Sequence, residues 1–147
     1  MNRVCIEMDS RPENIAFARV VVAGFIAPLD PSVDEVSDIK TAVSEAVTNA
    51  IIHGYPNDLP QQSSIVRMTM TSGGGKGRTI TIEVADDGVG IADIATAREP
   101  LFTTKAELER SGLGFTVMES FMDSVTVEST PGTGTKITLA KNLASLE

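Results

Sequence analysis

Ser44-Glu45-Ala46-Val47-Thr48-Asn49-Ala50-Ile51-Ile52-His53-Gly54 combines a helical apolar pattern with a row of polar groups. A carboxylate (Glu45), an amide (Asn49) and the only histidine of the chain (His53) recur at i, i+4 and i+8. Residues four apart stack on one face of a helix. At about 100° per residue, Ile39, Val43, Ala46 and Ala50 form the centre of an apolar stripe. Glu45, Asn49 and His53 run along one edge of that stripe, where a buried wall meets a cleft. Polar groups so placed need partners or a ligand.

On the N-terminal side, Asp30-Pro31-Ser32 is a turn, and Ser32 with Glu35 has the capping-box pattern that opens this helix. The helix is expected to run to about His53, stopped by Gly54 and Pro56. Residues 4–9 alternate as a strand, with Val4, Ile6 and Met8 on one face. Ser10-Arg11-Pro12-Glu13 again reads as a capping box. It predicts a helix through Ile15, Phe17, Ala18, Val21 and Val22, ending near Pro28.

On the C-terminal side, residues 57–63 form a polar loop, and residues 64–71 and 78–85 read as strands with β-branched alternation. Ser72-Gly73-Gly74-Gly75-Lys76-Gly77 reads as the hairpin connection between them. Residues 86–90 are a Gly-rich turn, residues 94–98 fit a short helix, and residues 99–111 are polar without clear period. Beyond Gly112, the residues Phe115, Val117, Met118, Phe121 and Met122 fit a helix. Residues 125–129 and 135–140 fit two strands around Pro131-Gly132-Thr133-Gly134. The order β, α, α, β, β, α, β, β predicts an α+β, two-layer sandwich: a mostly antiparallel mixed sheet with three main helices on one face.

A length of 147 residues predicts one domain, residues 1–147, large enough for a sizeable core. The net charge of −8 and scattered Lys and Arg argue against nucleic acid as a direct partner. Cys5 has no second cysteine to pair with, which points to a reducing compartment. No signal peptide is visible, and the apolar run at residues 20–27 is too short to span a bilayer. A soluble, cytoplasmic chain without membrane association is expected.

Several glycine-rich stretches invite a ligand. Gly73-Gly74-Gly75-Lys76-Gly77 lacks the Ser or Thr and the following helix of a phosphate loop. Gly112-Leu113-Gly114 lacks the third glycine of a dinucleotide fingerprint. It does stand at a helix start, where free N–H groups and the helix dipole favour an anion; tight helix–sheet packing explains it equally. Asp86-Asp87-Gly88-Val89-Gly90 follows a strand and lacks the acids of a calcium loop. It is either an ordinary Asp-Gly turn or a carboxylate at a pocket floor, accepting from a ligand amine. Glu45 and Asn49 alone fit a solvated helix edge, and His53 fits a residue near a helix end. No zinc cluster or Ser–His–acid motif is present.

Taken in order, these motifs resemble the ATP-binding (Bergerat-type) fold shared by gyrase B, Hsp90, histidine kinases and MutL. The Glu-x-x-x-Asn helix is matched by Glu45 and Asn49, with Ala50, His53 and Gly54 in keeping, and Asp-x-Gly-x-Gly by Asp86, Gly88 and Gly90. A Gly-x-Gly after a mobile lid is matched by Gly112 and Gly114, and a late-strand Gly-Thr by Gly134 and Thr135. Within that superfamily the chain is most similar to the anti-sigma F factors of spore-forming bacteria, which are small serine kinases. The likeness is carried by residues 40–55, Pro100-Leu101-Phe102-Thr103-Thr104-Lys105 and residues 107–119, and extends to Phe17-Ala18-Arg19-Val20.

The resemblance implies ATP and Mg²⁺ as cofactors, with Asn49 ligating the metal and Asp86 accepting from the adenine amine. It implies that Gly88 and Gly90 shape the base pocket and that Thr135 supports the base through a water. It assigns residues 99–111 to a lid, with Thr104, Lys105, Arg110, Ser111, Gly112 and Gly114 meeting the phosphates. Glu45, one turn from the metal ligand, is then placed as general base toward a serine of an anti-anti-sigma protein. The family also implies a homodimer that grips and inhibits sigma factor F. Arg19 is a candidate contact with that partner, the alternative being a solvated surface arginine. Two rivals stay open: a relative acting on stress sigma factor B, and a module that holds ATP without transfer. A detached histidine-kinase domain is disfavoured, because the only histidine lies inside the first motif.

Overall fold

A computed structural model describes residues 1–54, 64–73, 78–91, 94 and 111–144. Five strands form one sheet in the order β1-β2-β3-β5-β4. They are β1 (Asn2–Asp9), β2 (Ile65–Gly73), β3 (Thr79–Asp86), β4 (Ser124–Thr130) and β5 (Gly134–Asn142). Every pairing among them is antiparallel. The helices are α1 (Glu13–Ile26), α2 (Val33–Asn49) and α3 (Ser111–Phe121), and α2 packs between the other two. This is the expected α+β sandwich.

Alternation sets the layers. In β2 and β3 every second residue is buried, so Val66, Met68, Met70, Ile80, Ile82 and Val84 face the helices. Ile137 and Leu139 of β5 extend the same wall. Against it α2 lays the anticipated stripe of Ile39, Val43, Ala46 and Ala50, widened by Ala42 and Val47. Ala18, Val22 and Ile26 of α1 and Phe115 and Met118 of α3 complete the core.

The two helix starts differ. At α2, Ser32 Oγ accepts from the Glu35 N–H at 3.0 Å while Glu35 Oε1 accepts from the Ser32 N–H at 2.8 Å, a complete capping box. The box expected at Ser10 does not form; α1 begins at Glu13 after Pro12, with no side-chain cap. Sheet-like pairing explains this, since the Ser10 N–H donates to the Ser64 carbonyl at 2.9 Å. That bond keeps the chain beside the approach to β2, and the turn into α1 comes two residues later. Asn14 Nδ2 then ties the new helix to the Asp9 carbonyl at 2.8 Å.

The other helix end also departs from expectation. The α-helical pattern of α2 stops at Asn49, and Ala50–Gly54 continue as a π-helical turn. The β2 and β3 strands pair from Gly73 opposite Thr79, as a hairpin requires. Residues 74–77, residues 95–98 of the short helix expected at 94–98, and the polar segment at 99–110 lie outside the described residues. No helix among the described residues is long and apolar enough to cross a membrane.

Candidate functional site

The end of β3 brings Asp86 to the helix-facing side of the sheet, in line with Ile82 and Val84, where it is 5% exposed. Its Oδ1 accepts from the Gly88 N–H at 2.9 Å, which turns the chain sharply after the strand. Burial pushes its carboxyl up from 3.8 to about 6, against the pull of backbone hydrogen bonds from Gly88 and Thr135. Thr135, its partner across β3 and β5, is buried beside it. A carboxylate held this way gains from a donor brought to it by a ligand.

Backbone, not side chains, closes the walls around Asp86. A Cβ on Gly88 would lie 1.8 Å from the Gly54 carbonyl oxygen, and one on Gly134 would lie 2.1 Å from the Asp86 carbonyl oxygen. Gly90 has φ +77°, and a Cβ there would lie 2.3 Å from the Thr130 carbonyl oxygen. The Val89 N–H donates to the Gly54 carbonyl at 2.9 Å, and the Gly132 N–H to the Val89 carbonyl at 2.8 Å. The glycine-rich turn is therefore stitched to the end of the first-motif helix on one side and to the β4–β5 turn on the other.

Ser129 belongs to this assembly although its surroundings in the sequence carry no motif. Its hydroxyl accepts from the Ile91 N–H at 2.6 Å and lies 2.8 Å from the Thr135 hydroxyl and 3.1 Å from the Gly134 carbonyl. Only the strand register, which sets Ser129 opposite Thr135, reveals it.

Glu45 and Asn49 are half-buried on α2, one turn apart, upstream of the π-helical turn. Gly114 of α3 lies beside Glu45, since a Cβ there would sit 3.5 Å from Glu45 Oε1. One cleft edge thus gathers Glu45, Asn49 and Gly114, and α2 leads from it to Gly54, Asp86 and Gly88. Gly112 and Ser111 enter through backbone alone, as the first turn of α3. The side chains of His53 and Ser111, and all of Thr104, Lys105 and Arg110, lie outside the described residues.

Arg19 does not join this group. It is half-buried on α1, with Nη1 donating to the Lys40 carbonyl of α2 at 3.4 Å, beside a cavity of about 320 Å³ that Val33 and Val36 also line. A second groove, of about 330 Å³, opens at the end of the sheet and is lined by Arg67, Ala85, Asp87, Glu128 and Lys136 besides Asp86 and Thr135. Its charges are already paired, Arg67 with Asp87 and Lys136 with Glu128.

A buried acceptor at one end and half-buried side-chain oxygens at the other suit a long ligand with a donor group at one tip and polar groups at the other. Residues 8–141 match the family described as histidine kinase-like ATPase domain. The chain therefore carries an ATP-binding domain of that class. An anti-sigma F factor of Geobacillus thermodenitrificans is 53% identical over 97% of this chain and 94% of its own length. One of Clostridium beijerinckii is 51% identical over 95% and 94%. The chain belongs to the anti-sigma F factor family.

Among solved structures, the RsbU and RsbW domains of a Mycobacterium tuberculosis protein align with TM-score 0.69 at 20% identity, over 99% of this chain and 34% of that one. The catalytic domain of histidine kinase ThkA aligns with TM-score 0.53 at 17% identity over 97% of both. At those identities the likeness is one of fold.

Proposed function

We propose that this anti-sigma factor is also a serine kinase, which uses Mg²⁺ and ATP to phosphorylate an anti-anti-sigma protein. The single observation behind the reading is the join of the motifs: Gly114 beside Glu45, and Gly54 beneath Asp86, along one helix. Asp86 would accept from the adenine amine, with Thr135 supporting the base and Gly88 and Gly90 leaving room for it. Gly112, Gly114 and Ser111 at the start of α3 would meet the phosphates with backbone N–H groups. Thr104, Lys105 and Arg110 would add lid contacts from residues 99–111.

The donor set fits Mg²⁺. Asn49 offers a hard oxygen, and no group of three or more His, Cys, Asp or Glu side chains among the described residues forms an all-protein cage. Mg²⁺ is commonly held through one or two protein ligands, substrate phosphates and waters. Bound there, it would neutralise charge on the phosphates.

Glu45 would act as general base, its carboxylate taking the proton of the incoming serine hydroxyl. The serine oxygen forms its bond to the γ-phosphorus as the bond to the bridging β–γ oxygen breaks, and ADP departs with that electron pair. Half-burial beside Gly114 restricts Glu45 to few positions, and orientation of this kind is a large share of such catalysis.

Sigma factor F is the proposed partner rather than sigma factor B, supported by the names and the 50–54% identity of the relatives. Self-association as a homodimer is part of the reading. Phe17 and Val20, 51% and 68% exposed on α1, and the edge strand β1 offer a surface for it, which sedimentation velocity can read. Arg19 stands as a partner contact, which a pull-down with Arg19→Glu checks; unaltered capture of both partners removes it.

Labelled ATP incubated with the chain and an anti-anti-sigma protein should place phosphate on a serine of that protein. In Glu45→Ala, transfer should fall at least a hundredfold, roughly the contribution of a positioned base, while ATP still binds. In Asn49→Ala, the Mg²⁺-dependent part of ATP affinity should be lost. Undiminished transfer by Glu45→Ala would remove the base assignment and leave a module that holds ATP.

A further inference from the structure

We infer that Gly54 is a positioning residue for nucleobase recognition: the space left by its missing side chain admits the Asp86 carboxylate, so the helix carrying Glu45 and Asn49 also sets selectivity for the base. The inference rests on the nucleotide reading above and adds to it a role for a residue that the sequence presents as a helix stop within the first motif.

Backbone conformation does not require glycine at this position, because Gly54 is not among the residues with positive φ. The requirement is steric. A Cβ on Gly54 would lie 2.7 Å from Asp86 Cγ and 2.8 and 2.9 Å from its two oxygens. All three nearest atoms belong to that one carboxylate.

Neither side yields cheaply. The Gly54 carbonyl is held by the Val89 N–H at 2.9 Å, and the Asp86 carboxylate by the Gly88 N–H at 2.9 Å. The π-helical turn at Ala50–Gly54 brings the two together, since a wider turn re-aims the last residues of a helix. A methyl group at Gly54 would therefore push the carboxylate off its place and away from a bound base. Glu45 and Asn49 precede that turn, in the regular part of α2, and keep their positions. The signature is a loss confined to recognition of the base.

The test compares ATP with purine riboside triphosphate, which lacks the 6-amino group, by calorimetry with Mg²⁺ on the full chain. The unsubstituted chain should prefer ATP by about tenfold to a hundredfold, the value of one hydrogen bond to a charged group. Gly54→Ala should bind both alike, with ATP falling to the affinity of the analogue. Adding Gly54→Ala to Asp86→Ala should change nothing, because the methyl group enters space the carboxylate has left. A retained preference in Gly54→Ala, or an equal loss for both nucleotides, overturns the inference.

Should Gly54→Ala fail to fold, the double variant decides. It folds if the carboxylate is the sole obstacle, and an unfolded double variant overturns the inference. An unsubstituted chain that does not distinguish the two nucleotides overturns the nucleotide reading itself, a result separable from the behaviour of the variants.

Discussion

At the end of β3 two carboxylates sit side by side in opposite environments. Asp86 faces the helices, 5% exposed, and burial lifts its carboxyl to about 6. Asp87 faces the open side of the sheet, where Arg67 grips it through two bonds of 2.9 and 3.0 Å and holds its carboxyl below the ordinary value. Alternation points Asp86 inward, and the chain turns Asp87 outward as it leaves the strand. The buried one is walled by backbone and accepts backbone hydrogen bonds from Gly88 and Thr135 besides whatever a ligand brings. The open one has a charged partner already and nothing to offer a ligand. Environment, not residue type, distinguishes the recognition group from the surface group.

The sharpest way to break this contrast is to damage the backbone wall. Gly88→Ala would force a Cβ against the Gly54 carbonyl, where backbone meets backbone and no side chain can swing aside. We expect a loss of about 3 kcal/mol of stability, in the range of severe overpacking, together with the loss of ATP binding. Gly24→Ala is the internal reference. It lies within α1 with nothing inside 4 Å of its Cβ position, and alanine there should stabilise by roughly 0.5–1 kcal/mol. Urea unfolding of both variants checks the pair, and equal effects would refute the packing account.

A second effect of opposite signs follows from the Asp86 carboxyl. Its value rises from 3.8 unfolded to about 6 folded, so between those limits the native state holds a proton that the unfolded chain has released. The contribution of this group to stability is complete below pH 3.8 and lost as pH rises through 6. Nucleotide binding should run the other way, because only the ionised carboxylate accepts from the base amine. ATP affinity at pH 5 should be about a tenth of that at pH 7, the ionised fraction one pH unit below a value of 6. Titrating ATP from pH 5 to 8, with Asp86→Asn as control, tests it; a slope that survives in Asp86→Asn would assign the dependence to another group.

Much of this site was readable from pattern. The 3.6-residue period located the α2 stripe and put Glu45 and Asn49 on its edge, and alternation of Ile80, Ile82 and Val84 carried Asp86 to the buried side. What escaped the pattern depends on contacts distant in sequence. The Ser10 capping box lost to a bond with Ser64, which no local motif encodes. Gly54 read as a helix stop in keeping with the first motif, but its contact with Asp86 comes from a π-helical turn meeting the sheet end. Ser129 has no motif at all and enters through the β4–β5 register.

Arg67→Ala removes a two-pronged pair whose side chains are 36% and 61% exposed. Water and salt screen such pairs, so the stability loss should be about 0.5 kcal/mol and shrink further in 1 M salt. ATP affinity should be unchanged within twofold, since, although Arg67 and Asp87 share the sheet-end groove with Asp86, Arg67 is the last of the influences on its carboxyl. A loss of ATP affinity in Arg67→Ala as large as that in Asp86→Asn would mean that the two sides of the strand end act as one site. The separation drawn from alternation and burial would then fail.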